Sequence, residues 1–146
     1  MKLIIAGSRK FNDYQLLEKE VDNYIGGNLD IEIISGTENG ADQMGEDYAK
    51  NKNLKITQFH PNREKYGKKA GPIKNEEMAK YATDCIVFIV NGSTGSANMI
   101  KMAKKYKLNL KVVELTEDGS PTHQRVSLQT GGTDPWTGLP GDGYQS

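Results

Sequence analysis

The run Cys85–Val90 (CIVFIV) is apolar at every position. Successive side chains of a strand point to opposite faces, so such a segment must be covered on both sides, as an interior strand of a parallel sheet is. It is also far shorter than the ~20 apolar residues a membrane span needs, and no other stretch approaches that length. Both faces therefore call for helices, and the rest of the chain supplies them.

Leu3–Ala6 (LIIA), Ile31–Ser35 (IEIIS), Leu54–Phe59 and Leu110–Leu115 (LKVVEL) read as four more strands. Between them lie segments with helical spacing. Asn12 and Asp13 can cap a first helix carrying Leu17, Val21 and Tyr24 and stopping at Gly26-Gly27. A second runs from Gly40 to about Asn51 with Met44 and Tyr48 four apart, and a third spans Ile73–Ala82 after a long polar loop ending at Pro72. A fourth covers Ala97–Tyr106, with Met99, Met102, Ala103 and Tyr106 on one stripe. Five strands alternating with four helices predict an α/β fold, a doubly wound, mainly parallel Rossmann-like sheet with helices on both faces, over residues 1–115. Beyond Thr116, Gly, Pro, Ser, Thr, Gln and Asp dominate, so residues 116–146 are expected to form a flexible, disordered tail. Trp136 and Leu139, in DPWTGLPG, read as either a docking peptide or part of an idle terminus.

Lys+Arg and Asp+Glu both number 19 in the 146 residues, so no bulk charge holds the chain to nucleic acid or anionic membrane. A local basic site remains possible. One cysteine, Cys85, lies within the apolar strand and is expected to be packing; this usage suits a reducing cytoplasm. The two histidines, His60 and His123, are too far apart to suggest a zinc site, and His60 reads as a loop residue. No metal and no cofactor is implied.

In parallel α/β sheets ligands bind beyond the carboxyl ends of the strands. Strand one ends in Gly7-Ser8-Arg9, strand two in SGTENGAD (Ser35–Asp42), and strand four in NGSTGS (Asn91–Ser96). The segment YGKKAGPIKN (Tyr66–Asn75) follows strand three. All fall on one rim, whereas the opposite rim has a plain Gly-Gly stop and lysine-rich connections. Gly36 and Gly40 bracket a turn that lets backbone N–H groups approach an anion at a helix N-terminus, with Ser35 and Thr37 beside them. Asn91, Gly92, Ser93, Thr94, Gly95 and Ser96 repeat the arrangement. Arg9 and Lys74 would supply fixed charge, and Asn75, Asn91 and Asn98 can read a sugar or base. Arg9 could equally pair with an acidic neighbour. Asp42 either caps its helix or contacts a ribose hydroxyl, and Glu76 either lies solvated at a helix start or reaches the crevice. Neither glycine loop matches a P-loop or GxGxxG. Lys101, Lys104, Lys105 and Lys107 read as a solvated helix face.

GSRKF, SGTENGAD, YGKKAGPIKNEEM and the segment from NGSTGS to Ile100, in that order, resemble the YspA/YpsA-related branch of the SLOG superfamily. This Rossmann-like group also holds the Lonely Guy phosphoribohydrolases and the DNA-processing protein A domain. The resemblance covers about residues 1–115 and implies a nucleotide-like small-molecule partner in the crevice between strands one and four. It also implies homodimers or higher homo-oligomers, with roles in phage–host conflict or nucleotide signalling. Lonely Guy enzymes carry PGGxGTxxE with a catalytic glutamate; alignment through Gly92 and Gly95 puts Met99 there, and Lys74 falls at a family arginine. A thioether accepts no proton, so cleavage by that route is not expected. Where the related pattern reads close to SGGARGAD, this chain has Thr37, Glu38 and Asn39. The expected function is thus a non-catalytic sensor or sequestering protein for a nucleotide or nucleotide-derived signal. One alternative is a phosphoribohydrolase or N-glycosidase using Asp42, Glu38 or Glu76. Another is single-stranded DNA binding, against which the zero net charge argues.

Overall fold

The structure is a computed structural model and describes residues 1–28, 30–90, 94–115, 125–129 and 144–145. Its parallel sheet comprises β1 (Lys2–Gly7), β2 (Glu32–Ser35), β3 (Lys55–Gln58), β4 (Asp84–Val90) and β5 (Asn109–Leu115). The helices are α1 (Tyr14–Ile25), α2 (Ala41–Asn51), the short α3 (Arg63–Tyr66), α4 (Ala70–Tyr81) and α5 (Thr94–Lys105). The five strands lie in the order β3-β2-β1-β4-β5, so the winding reverses between β1 and β4.

The pleat of β4 divides the apolar run between two cores. Ile86, Phe88 and Val90 join Leu3, Ile5 and Ile33 beneath α1 and α2, with Leu17, Val21, Ala41 and Tyr48. Cys85, Val87 and Ile89 join Ile4, Ala6 and Ile34 beneath α4 and α5, with Met78, Ala79, Met99 and Ala103. Burial of each large aliphatic side chain contributes about 1.5–3 kcal/mol, so both faces must be covered for the sheet to persist. Asp13 caps α1 by accepting from the Leu16 N–H at 3.1 Å, and Gly26 ends it at φ 63°.

Helix α2 packs unusually close to β1. A methyl placed on Gly45 would come within 2.8 Å of the Ile5 Cβ, so only glycine lets the helix sit there. This contact brings the start of α2 against the end of β1.

The structure corrects the sequence reading in one place. The stretch before Pro72 is not a loop but α3, a 3₁₀ turn (Gly67–Lys69) and the first turn of α4. Asn62 caps α3 by accepting from the Lys65 N–H at 3.1 Å. Pro72 is tolerated because first-turn N–H groups have no partner within a helix. Beyond residue 115 the described residues form β6 (Arg125–Gln129), antiparallel to β5, and the two-residue β7 (Tyr144–Gln145), antiparallel to β6. Pairing there satisfies the otherwise open edge of β5. Trp136, Leu139 and His123 lie outside the described residues.

Candidate functional site

At the switch point, between the carboxyl ends of β1 and β4, opens a crevice of about 660 Å³. Its floor is apolar (Ala6, Met78, Val90 and Met99), and among the described residues its walls hold Arg9, Lys10, Arg63, Lys68 and Lys74 against two carboxylates, Glu38 and Asp42. A chain of zero net charge thus concentrates cations at one place, where field lines focus on an anionic ligand.

The first wall is the end of β1. The Ser8 N–H donates to the Phe88 carbonyl at 2.8 Å, holding the two strands together past their last paired residues. A methyl on Gly7 would lie 2.1 Å from that same oxygen, so the residue must be glycine. Gly40, at φ 75°, brings the start of α2 so close that a methyl there would sit 2.3 Å from the Ser8 carbonyl. Gly7 itself lines the crevice, and Gly40 positions the backbone beside it.

The second wall is the turn after β2. Ser35 and Gly36 do not line the crevice; they brace it. The Ser35 hydroxyl donates to Glu46 at 2.6 Å and accepts from the Thr37 N–H at 3.0 Å. Buried Lys74 reaches across from α4 to donate to the Gly36 carbonyl at 2.8 Å. A methyl on Gly36 would fall 2.8 Å from Asp42 Oδ2 and 2.9 Å from Lys74 Nζ, which shows how tightly that carboxylate and ammonium flank the turn. Thr37 holds φ 65°, a conformation foreign to a β-branched residue. Its neighbour Glu38 faces inward, and there Arg9 finds its partner: Nη2 lies 2.9 Å from Glu38 Oε1.

Asp42 is buried in the first turn of α2 and accepts from the Glu38 N–H at 3.2 Å. Burial pushes its carboxyl up to about 6, although Lys74 and the N–H groups of Glu38 and Gly7 favour the charged form. Desolvation wins because the side chain is only 4% exposed. A carboxyl that titrates near neutrality can hold or release a proton at the crevice wall.

The third wall is the start of α5. Ser96 lines the crevice and is 3% exposed, yet its hydroxyl has no hydrogen-bond partner; among the described residues it is the one buried side-chain polar atom so placed. Thr94 and Gly95 lie in the same first turn, and Asn91, Gly92 and Ser93 lie outside the described residues. Asn75 lines the crevice and donates to Asn98 at 2.8 Å, which spends part of the hydrogen-bonding capacity of both.

Glu76 is not brought to the site. It accepts from Lys105 at 2.8 Å and from Tyr106, bonds that hold its carboxyl down at about 2 and join α4 to α5. His60 borders a separate, smaller cavity with Tyr66 and Glu77. Three cations escaped the sequence reading, Lys10, Arg63 and Lys68. Arg63 and Lys68 belong to the segment read as loop, and only its helical path turns them inward; the Asn62 cap was the available signal. Among the described residues no group of three or more His, Cys, Asp or Glu could hold a metal ion, and no helix is long and apolar enough to cross a membrane.

Fold and crevice together define a Rossmann-like α/β protein with a basic crevice at its topological switch point. Residues 1–66 match the model of the YspA, cpYpsA-related SLOG family, which supports the YspA/YpsA-related branch of SLOG proteins. The matched segment holds GSRKF and SGTENGAD and ends at Tyr66, before α4 and α5. That family suggests binding or processing of a nucleotide-related ligand. No curated protein and no solved structure matches the chain.

Proposed function

We propose that the crevice binds a nucleotide or nucleotide-derived ligand, and that the protein is a non-catalytic sensor or sequestering protein for it. One observation carries this reading: the buried, unpartnered hydroxyl of Ser96, a residue at the head of α5 that lines a crevice walled by cations. Leaving a buried hydroxyl unsatisfied costs about 1–3 kcal/mol, a cost that a hydrogen-bonding ligand removes. The helix N-terminus beside it favours negative charge. Arg9, Arg63 and Lys74 lie within reach of a phosphate, while Asn75 and the apolar floor suit a sugar or base. The resemblance adds a homodimeric or larger assembly and a place in phage–host conflict, and the single cysteine suits a cytoplasmic setting. Native mass spectrometry of freshly purified protein tests the reading. A co-purified or added nucleotide bound stoichiometrically is the expected result, and no retention of any nucleotide at millimolar concentration refutes it.

Asp42 favours a second reading, a phosphoribohydrolase or N-glycosidase. Its carboxyl lies in the crevice wall with its titration raised toward neutrality, as a general acid or base requires. Met99, at the place where Lonely Guy enzymes carry glutamate, belongs to the apolar floor and can do no proton chemistry. Release of free base from nucleoside monophosphates, abolished in Asp42→Asn, would establish hydrolysis; absence of release supports binding alone.

A further inference from the structure

The nucleotide reading is the premise of this inference, which concerns how the site chooses its anion. Glu38 carries one carboxylate and three cations converge on it. Arg9, from the end of β1, lies 2.9 Å from Oε1; Arg63, from α3, and Lys74, from α4, lie 3.5 and 3.6 Å from Oε2. These cations come from separate elements, and the carboxylate is what they share. Arg9 and Arg63 are largely exposed, so their pairs with Glu38 are weakly held individually. Lys74 is different: its side chain is 5% exposed, and withdrawal of Glu38 would leave it the Gly36 carbonyl and Asp42 but no anion shared with the two arginines. Glu38 itself is 25% exposed and can swing to solvent without burying its charge elsewhere. Exit of Glu38 is therefore coupled to entry of another anion.

We propose that Glu38 is an internal stand-in for the ligand's phosphate, and that a terminal phosphate monoester binds by displacing it from Arg9, Arg63 and Lys74. A monoester dianion brings more charge than a carboxylate and three oxygens for three cations. An internal phosphodiester carries a single charge and has no such advantage over the resident carboxylate. The site thus selects phosphate ends, as on mononucleotides or sugar phosphates, and passes over the backbone of a nucleic acid. Thr37, at φ 65°, is the adjoining backbone position that would relax when Glu38 leaves.

Calorimetry at pH 7.5 and fixed ionic strength tests this with wild type, Glu38→Gln and Glu38→Ala. The probes are AMP, GMP, CMP and UMP, their 3′,5′-cyclic forms, and ribose 5-phosphate. Wild type should prefer monoesters to cyclic diesters by about tenfold or more. A resident group seated nine-tenths of the time lowers every apparent affinity about tenfold, so both variants should gain that same factor for monoester and diester alike. If Glu38 instead stayed seated and only repelled, the dianion would gain about the square of the monoanion's factor, and displacement would be overturned. Unchanged or weaker binding in the variants overturns it too, because Glu38 would then only organise the cations. Binding of ribose 5-phosphate equal to that of the nucleotides supports displacement and names sugar phosphates as the source; preference for one nucleotide supports it and names the nucleotide. Failure of every probe on all three proteins defeats the nucleotide reading itself. Should the variants not fold, the Glu38 carboxylate carbon, followed by NMR in labelled wild type, decides: a shift toward that of a free, solvated carboxylate on AMP addition supports displacement, and an unchanged shift overturns it.

Discussion

Replacing Ser96 with alanine separates what the crevice does for a ligand from what it does for the fold. The Ser96 hydroxyl is buried and unpartnered, so in the folded protein it has given up water and gained nothing. Its removal should relieve a desolvation cost of about 1–3 kcal/mol, less the few contacts one oxygen atom makes with its neighbours. A net gain of about 1 kcal/mol is the expected outcome, raising the melting temperature by roughly 2–4 °C at this chain length. The same change should weaken ligand binding by about 0.5–1.5 kcal/mol, a loss of roughly 2- to 12-fold in affinity, because the hydroxyl's partner is the ligand. Urea unfolding of the ligand-free protein and calorimetry with the best-bound nucleotide measure the two effects separately. Stability and binding moving in opposite directions is the signature of a residue kept for function. Destabilisation of the ligand-free protein by Ser96→Ala would refute the reasoning, since the hydroxyl would then have a partner within the fold.

Further outcomes follow from the same geometry. Thr37→Gly should change the stability of the ligand-free protein by less than about 1 kcal/mol in a denaturant titration, since relief of a left-handed conformation that costs a β-branched residue about 1–2 kcal/mol is offset by glycine's greater unfolded-state freedom and by loss of the Thr37 hydroxyl's bond to the Gly36 carbonyl at 2.6 Å. For Asp42 the folded carboxyl titrates at about 6 against an ordinary 3.8, so the fold favours its protonated form. Its contribution is therefore unfavourable above the folded value and fades as pH falls toward 3.8. Between pH 4 and 6 wild type should lose up to about 3 kcal/mol relative to Asp42→Asn as pH rises, read from urea melts at each pH. Single-stranded oligonucleotides should bind weakly and be lost between low and physiological salt, whereas a mononucleotide in the walled crevice should change far less. Tight, salt-resistant oligonucleotide binding in a fluorescence titration would make the protein a strand-handling factor instead.

The framework was legible in the residues themselves. CIVFIV demanded a strand covered on both faces, and the spacing of Leu17, Val21 and Tyr24 demanded a helix to help cover it. Periodicity is a local property: which backbone hydrogen bonds form, and which side chains then share a face, is decided within a few residues. Alternating units of this kind leave few ways to wind a sheet, so Gly7, Gly40 and Ser96 could be assigned to one rim before any distance was known. Only tertiary structure decided what those residues do there. Arg9 pairs with Glu38 because the turn after β2 folds over the end of β1, and Lys74 joins them from α4, a helix that begins at Ala70, far along the chain from the start of α2 at Ala41. Glu76, two residues from Lys74, points instead to Lys105 and Tyr106, because the turn of the helix carries it to the face that meets α5. Nor could composition show that one hydroxyl among many would be buried without a partner, since that depends on every other group around it. Charge pairing and hydrogen-bond satisfaction are set by distances between residues far apart in the chain. Sequence determined which rim would carry the crevice; the packing of α2, α4 and α5 against β1 and β4 decided which charges meet in it.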